Sequence, residues 1–118
     1  MGRAIRMGLF AAAAVWGMAG SAVAEEAQAR VVEIHARRFE FTPKEVTLKR
    51  GEPVKLRLTS EDVTHGFYMK TLGIDATIVP GKATDVPLTP TAAGRFVTIC
   101  DHFCGAGHGN MKMTIVVE

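Results

Sequence analysis
Cys100-Asp101-His102-Phe103-Cys104-Gly105-Ala106-Gly107-His108-Gly109-Asn110-Met111 is the stretch on which the reading of this chain turns. It joins two β-patterned segments, Arg95–Ile99 and Met111–Val117, and holds both cysteines of the protein. The spacing is Cys-x3-Cys-x3-His-x2-Met. Thiolate and thioether sulfur are soft donors that select Cu(I), and imidazole also suits copper. Glycines at 105, 107 and 109 let the backbone bend so that nearby side chains converge. The segment reads as a copper-binding loop held by a β frame.

Working outward, the body of the chain is strand-like. Val31–Ala36 is rich in β-branched residues, Phe39–Phe41 alternates and stops at Thr42-Pro43, and Glu45–Lys49 alternates again. Val54, Leu56 and Leu58 face one way and Lys55, Arg57 and Thr59 the other, the cleanest half-buried strand in the chain. Thr64–Met69, Leu72–Val79 and Lys82–Leu88 follow, separated by turn residues. Turn signals recur every 8–12 residues, with no convincing helix after the leader and no internal repeat. That pattern predicts an all-β sandwich of seven to eight short strands. The cysteine loop then lies between the last two strands, at one end of the sandwich.

The chain has 118 residues, and its start differs from the rest. Arg3 and Arg6 precede an uncharged, alanine-rich run, Met7–Ala24, that closes on Ala22-Val23-Ala24. These are the parts of a secretory signal. The expected organisation is a signal segment over 1–24, cleaved or retained as an anchor, a linker over 25–29 and one domain over 30–118. The expected location is periplasmic or otherwise exported. Without Arg3 and Arg6 the basic residues equal the 12 acidic ones. No clustered basic face points to nucleic acid. No acid/base pair or nucleophile motif suggests an enzyme acting on its own.

In an oxidising compartment two cysteines ordinarily pair, but a disulfide has no use for the histidine and methionine that follow at fixed steps. A further donor is expected from His65, which begins a strand after a turn. His35 reads as an ordinary surface histidine. The residues His65, Cys100, Cys104, His108 and Met111 admit three readings. A structural zinc site takes two Cys and two His and leaves Met111 idle. A mononuclear blue copper site takes one Cys, two His and an axial Met, and leaves a cysteine over. Two coppers sharing both thiolates use every group, with the His102 carbonyl opposite Met111. Phe67, Phe103 and Ile99 are candidates for an apolar shell around the thiolates.

These residues resemble the dinuclear copper A domain of cytochrome c oxidase subunit II and of nitrous oxide reductase. The likeness includes Asp62-Val63-x-His65-x-Phe67, the segment from Leu72-Gly73-Ile74 to Pro80-Gly81-Lys82, and Gly94-x-Phe96. It spans roughly Pro53 to Val117. The resemblance implies a cupredoxin Greek-key sandwich. It also implies that Cys100 and Cys104 bridge two copper ions, that His65 and His108 ligate one each, that Met111 is a weak ligand, and that His102 gives its main-chain oxygen. The implied task is to take one electron from a soluble carrier such as cytochrome c, or to serve a membrane oxidase. Position 102 departs from the oxidase pattern, which has an acid there, and Glu25–Arg38 contains no aromatic residue. The expectation is a free-standing exported copper A-like cupredoxin. A copper chaperone or storage protein that supplies an oxidase is the alternative.

Overall fold
The structure, a computed structural model, describes residues 29–118. The expected signal segment 1–24, and the linker except for Ala29, lie outside the described residues. Nine strands follow in order: β1 Arg30–Arg37, β2 Glu40–Thr42, β3 Glu45–Leu48, β4 Val54–Ser60, β5 His65–Met69, β6 Ile74–Ile78, β7 Thr84–Leu88, β8 Gly94–Ile99 and β9 Lys112–Val117. Among the described residues the only helical pieces are two 3₁₀ turns, Lys70–Leu72 and His108–Asn110. The all-β reading holds, with nine strands rather than seven or eight. Thr42-Pro43 ends β2 after three residues, so a short strand stands apart from β3.

The strands form two sheets, ordered β2-β1-β4-β7 and β3-β9-β8-β5-β6. β1 runs parallel to β4 and β3 parallel to β9; the other pairings are antiparallel. Between the parallel neighbours β1 and β4 the chain passes through β3, which lies in the other sheet, so it crosses between sheets as a Greek-key sandwich does. Pro87 lies in β7, an edge strand, where a missing N–H is tolerated.

Alternation fills the space between the sheets. Val54, Leu56 and Leu58 of β4 and Met113, Ile115 and Val117 of β9 belong to one core with Ile34, Leu48, Ile74 and Ile78, all buried. Phe41 and Phe67 meet edge to face with centroids 5.4 Å apart, an arrangement worth about 0.5–1.5 kcal/mol beyond their burial. Cys100, Cys104 and Met111 belong to the same buried cluster. The sulfur loop is therefore one end of the core and not an appendage to it.

Candidate metal centre
The register of β5 against β8 pairs Tyr68 with Ile99. The strands are antiparallel, so His65 at the start of β5 arrives beside the residues that leave β8. On β8, Phe96 and Thr98 turn inward, and Cys100 continues that alternation into the core. The ladder of β8 and β9 extends one step past Ile99–Lys112, because Cys100 N–H donates to the Met111 carbonyl at 3.1 Å. That bond closes the base of the loop. Within it, Met111 N–H donates to the His108 carbonyl and His108 N–H to the Gly105 carbonyl, both at 3.1 Å, folding the last turn back over the sulfurs.

The two sulfurs are not bonded: Cys100 Sγ and Cys104 Sγ are 3.8 Å apart and both residues are buried. Donors flank the pair on two sides. Beside Cys100 Sγ lie His65 Nδ1 at 4.0 Å and the His102 carbonyl at 3.2 Å. Beside Cys104 Sγ lie His108 Nδ1 at 3.7 Å and Met111 Sδ at 3.8 Å. His65, Cys100 and Cys104 offer ligand atoms within 4.8 Å of one another and could hold a metal ion. All six residues singled out in the sequence thus come to one pole. The His102 ring is exposed, with Nδ1 3.1 Å from the Phe103 carbonyl, while its own carbonyl turns to Cys100. His35 is exposed and bonds Thr59 Oγ1.

Asp62 fixes the direction of His65. Its Oδ1 lies 2.7 Å from His65 Nε2 and accepts the Val63 N–H, and its Oδ2 accepts the Arg38 N–H at 2.8 Å. Partial burial pushes this carboxyl up, but the Arg38, His65 and Val63 hydrogen bonds outweigh it and hold it down at about 2. Being ionised, Asp62 only accepts, so Nε2 carries the proton and the Nδ1 lone pair faces the sulfurs. Burial, then the neighbouring Cys100 thiol, pushes the Cys104 thiol up to about 11. Without a cation, therefore, Cys104 stays protonated at neutral pH.

Gly66, next to His65, donates its N–H to Cys100 Sγ at 3.3 Å. A Cβ there would sit 2.9 Å from the backbone nitrogens of both Asp101 and His102, so only glycine permits the approach. The expected apolar shell needs correction. Phe67 is fully buried, but Phe103 is 74% exposed and Ile99 43% exposed. Ile99 takes an outward position because its neighbours Thr98 and Cys100 face inward. Phe39, 38% exposed, lays its ring against the loop backbone at Gly105 and Gly107. The sequence carried one signal for this, an aromatic followed by glycines spaced to receive a ring, but the two lie far apart in the chain.

The sequence matches the cupredoxin-like domain over residues 9–117. The chain belongs to the cupredoxin-like family. This cupredoxin is 35% identical over 80 residues to cytochrome c oxidase subunit 2 of Thermus thermophilus, covering 68% of this chain and 59% of that one. It is 33% identical over 91 residues to nitrous-oxide reductase of Cupriavidus necator, covering 74% of this chain and 14% of that one. The cupredoxin therefore spans about half the length of the oxidase subunits it matches, and less of the reductase. Its fold is shared with the periplasmic domain of subunit II of cytochrome oxidase from Bradyrhizobium japonicum, at a TM-score of 0.70 and 16% identity, covering 75% of this chain and 83% of that one. The cupredoxin is homologous to oxidase subunit II and to nitrous-oxide reductase, as the resemblance implied. No helix among the described residues is long and apolar enough to cross a membrane.

Proposed function
We propose that this cupredoxin is an exported electron-transfer protein whose centre holds two copper ions. Cys100 and Cys104 would be shared between them, and His65, His108, Met111 and the His102 carbonyl would complete the set. The observation that carries this is the gathering of two imidazoles, a thioether and a carbonyl, each within 4.0 Å of one of two unbonded, buried sulfurs. The donor set fits copper: two thiols, two imidazoles and a thioether are the soft and borderline ligands it prefers. A zinc site would leave Met111, 1% exposed and against Cys104, without a role. A mononuclear site would leave one buried thiol over.

When bound, copper supplies a one-electron couple shared with the two sulfurs. The protein supplies rigidity. Cys100 and Met111 are tied across the loop base, and His65 is pinned by a carboxylate that is itself held by two backbone N–H groups, those of Arg38 and Val63. Donors that cannot move make little reorganisation necessary on gaining or losing an electron. Gly66 N–H on Cys100 Sγ withdraws charge from the sulfur and favours the reduced state. Copper delivery, by contrast, needs ligands that are open to exchange, whereas His65, Cys100, Cys104 and Met111 are all buried. The electron donor on this reading is a soluble carrier such as cytochrome c, with a membrane oxidase as the acceptor or host assembly.

Reconstitution with copper followed by EPR and visible spectroscopy tests the proposal. A seven-line signal from one unpaired electron spread over two coppers, with purple colour, is expected. Tight uptake of one Cu(I) without that spectrum would favour copper delivery, and a colourless zinc protein would exclude both.

A further inference from the structure
The corner between β1 and β2 reaches the metal pole through one residue. Arg38 donates its backbone N–H to Asp62 Oδ2 at 2.8 Å and its side-chain Nε–H to the Cys104 carbonyl at 2.7 Å. Asp62 directs His65, and Cys104 faces His108 and Met111. Arg38 therefore joins the histidine side of the site to the far side of the sulfur loop, across 66 positions of sequence. Phe39 continues the strap. Cβ atoms built at Gly105 and Gly107 would come within 2.9 and 2.6 Å of its ring, so the loop backbone lies flat against it.

We propose that Arg38 is a positioning residue for the Cys104 thiol, acting through the Cys104 peptide, and that its guanidinium charge also sets the electron affinity of the centre. The second half rests on the copper reading above; the first does not. Holding the Cys104 carbonyl fixes the peptide plane between Cys104 and Gly105. Gly105 has φ +139, a conformation that a free glycine leaves easily, so the loop needs an outside tether at that point. A guanidinium stays protonated at any working pH, so the bond is charge-assisted throughout. A fixed cation beside electron-rich thiolates stabilises the state with one more electron, which raises the midpoint potential. Arg38 is exposed, so salt screens this part of the effect and leaves the tether intact.

The test compares wild type, Arg38→Gln and Arg38→Lys in the full chain. In metal-free protein at high salt, which screens the guanidinium's effect on thiolate formation, the rate of Cys104 alkylation by iodoacetamide, read by peptide mass spectrometry, should rise roughly tenfold in Arg38→Gln, as expected for losing one charge-assisted bond. Arg38→Lys should recover part of the protection. In copper-loaded protein, release to a Cu(I) chelator should quicken about 10–100-fold in Arg38→Gln. Its midpoint potential should fall at low salt and return toward wild type in Arg38→Lys. Circular dichroism monitors the fold. Alkylation within twofold of wild type in folded Arg38→Gln overturns the tether, and an unchanged potential overturns the charge effect. A variant that loses the sandwich altogether shows a structural role instead. If wild type takes up no copper, the copper reading fails, and the alkylation rates still decide whether Arg38 holds Cys104.

Discussion

Replacing Asp62 with alanine removes the acceptor for three donors at once: the Arg38 N–H, the Val63 N–H and His65 Nε2. His65 is fully buried and its Nε2–H loses this partner, whereas the Asp62 side chain is 32% exposed, so water can reach part of the space it leaves. One orphaned buried donor and two weakened bonds to a former carboxylate amount to about 2–4 kcal/mol. The carboxyl's own titration reports the same bonds. It is held at about 2 in the folded protein against an ordinary 3.8, so folding is stabilised above pH 4; because Asp62 is exposed, solvent screening brings this to about 1 kcal/mol. Its folded value is lowered, so that stability is present at neutral pH and is lost as pH falls through 4 toward 2. Urea denaturation of metal-free wild type and Asp62→Ala at pH 7 and pH 2.5 reads both effects. The two proteins should differ by about 2–4 kcal/mol at pH 7 and by clearly less at pH 2.5. In the loaded protein, freeing His65 should weaken copper binding about 10–100-fold. A difference below about 0.5 kcal/mol at pH 7, the usual range for an inconsequential surface change, would refute the role given to Asp62.

Gly66→Ala forces a Cβ to 2.9 Å from two backbone nitrogens of the sulfur loop; it should cost about 1–3 kcal/mol by denaturation and alter the visible spectrum of the loaded protein. Thr98 is fully buried, and its Oγ1 has no hydrogen-bond partner among the described residues. Thr98→Val should therefore leave the centre's spectrum alone and raise stability by up to about 1 kcal/mol, read from the denaturation midpoint. With the Cys104 thiol pushed up to about 11 from an ordinary 9.0, the unfolded chain loses its proton first. The metal-free protein should then keep its full stability below pH 9 and lose part of it as pH rises toward 11, whereas Cys104→Ser should show a flatter profile.

The core of the fold and the centre of the site were legible for the same reason: both are written in short-range pattern. Val54-x-Leu56-x-Leu58 announces a half-buried strand, and Cys-x3-Cys-x3-His-x2-Met announces convergent donors. His65 could be placed because strand order brings the start of β5 to the end of β8. What could not be read depends on contacts across the sandwich. Arg38 and Phe39 look like a charged strand end and an edge aromatic, and only the β1–β2 corner shows that they lie on the sulfur loop. The sequence around Ile99 misled for a different reason. Phe96-Val97-Thr98-Ile99 is apolar on both faces except at Thr98, so alternation alone does not say which side is inner. The inward threonine left Val97 and Ile99 outside.

The proposed centre requires that Cys100 and Cys104, unbonded at 3.8 Å, take up metal between them. Native mass spectrometry of the intact, copper-supplied chain tests this most directly, because one spectrum reports both metal count and thiol state. Two coppers per chain, with both thiol protons displaced and neither copper retained by Cys104→Ser at the same stoichiometry, is the predicted result. A metal-free mass corresponding to a Cys100–Cys104 disulfide, or a single bound ion that survives loss of Cys104, would contradict it.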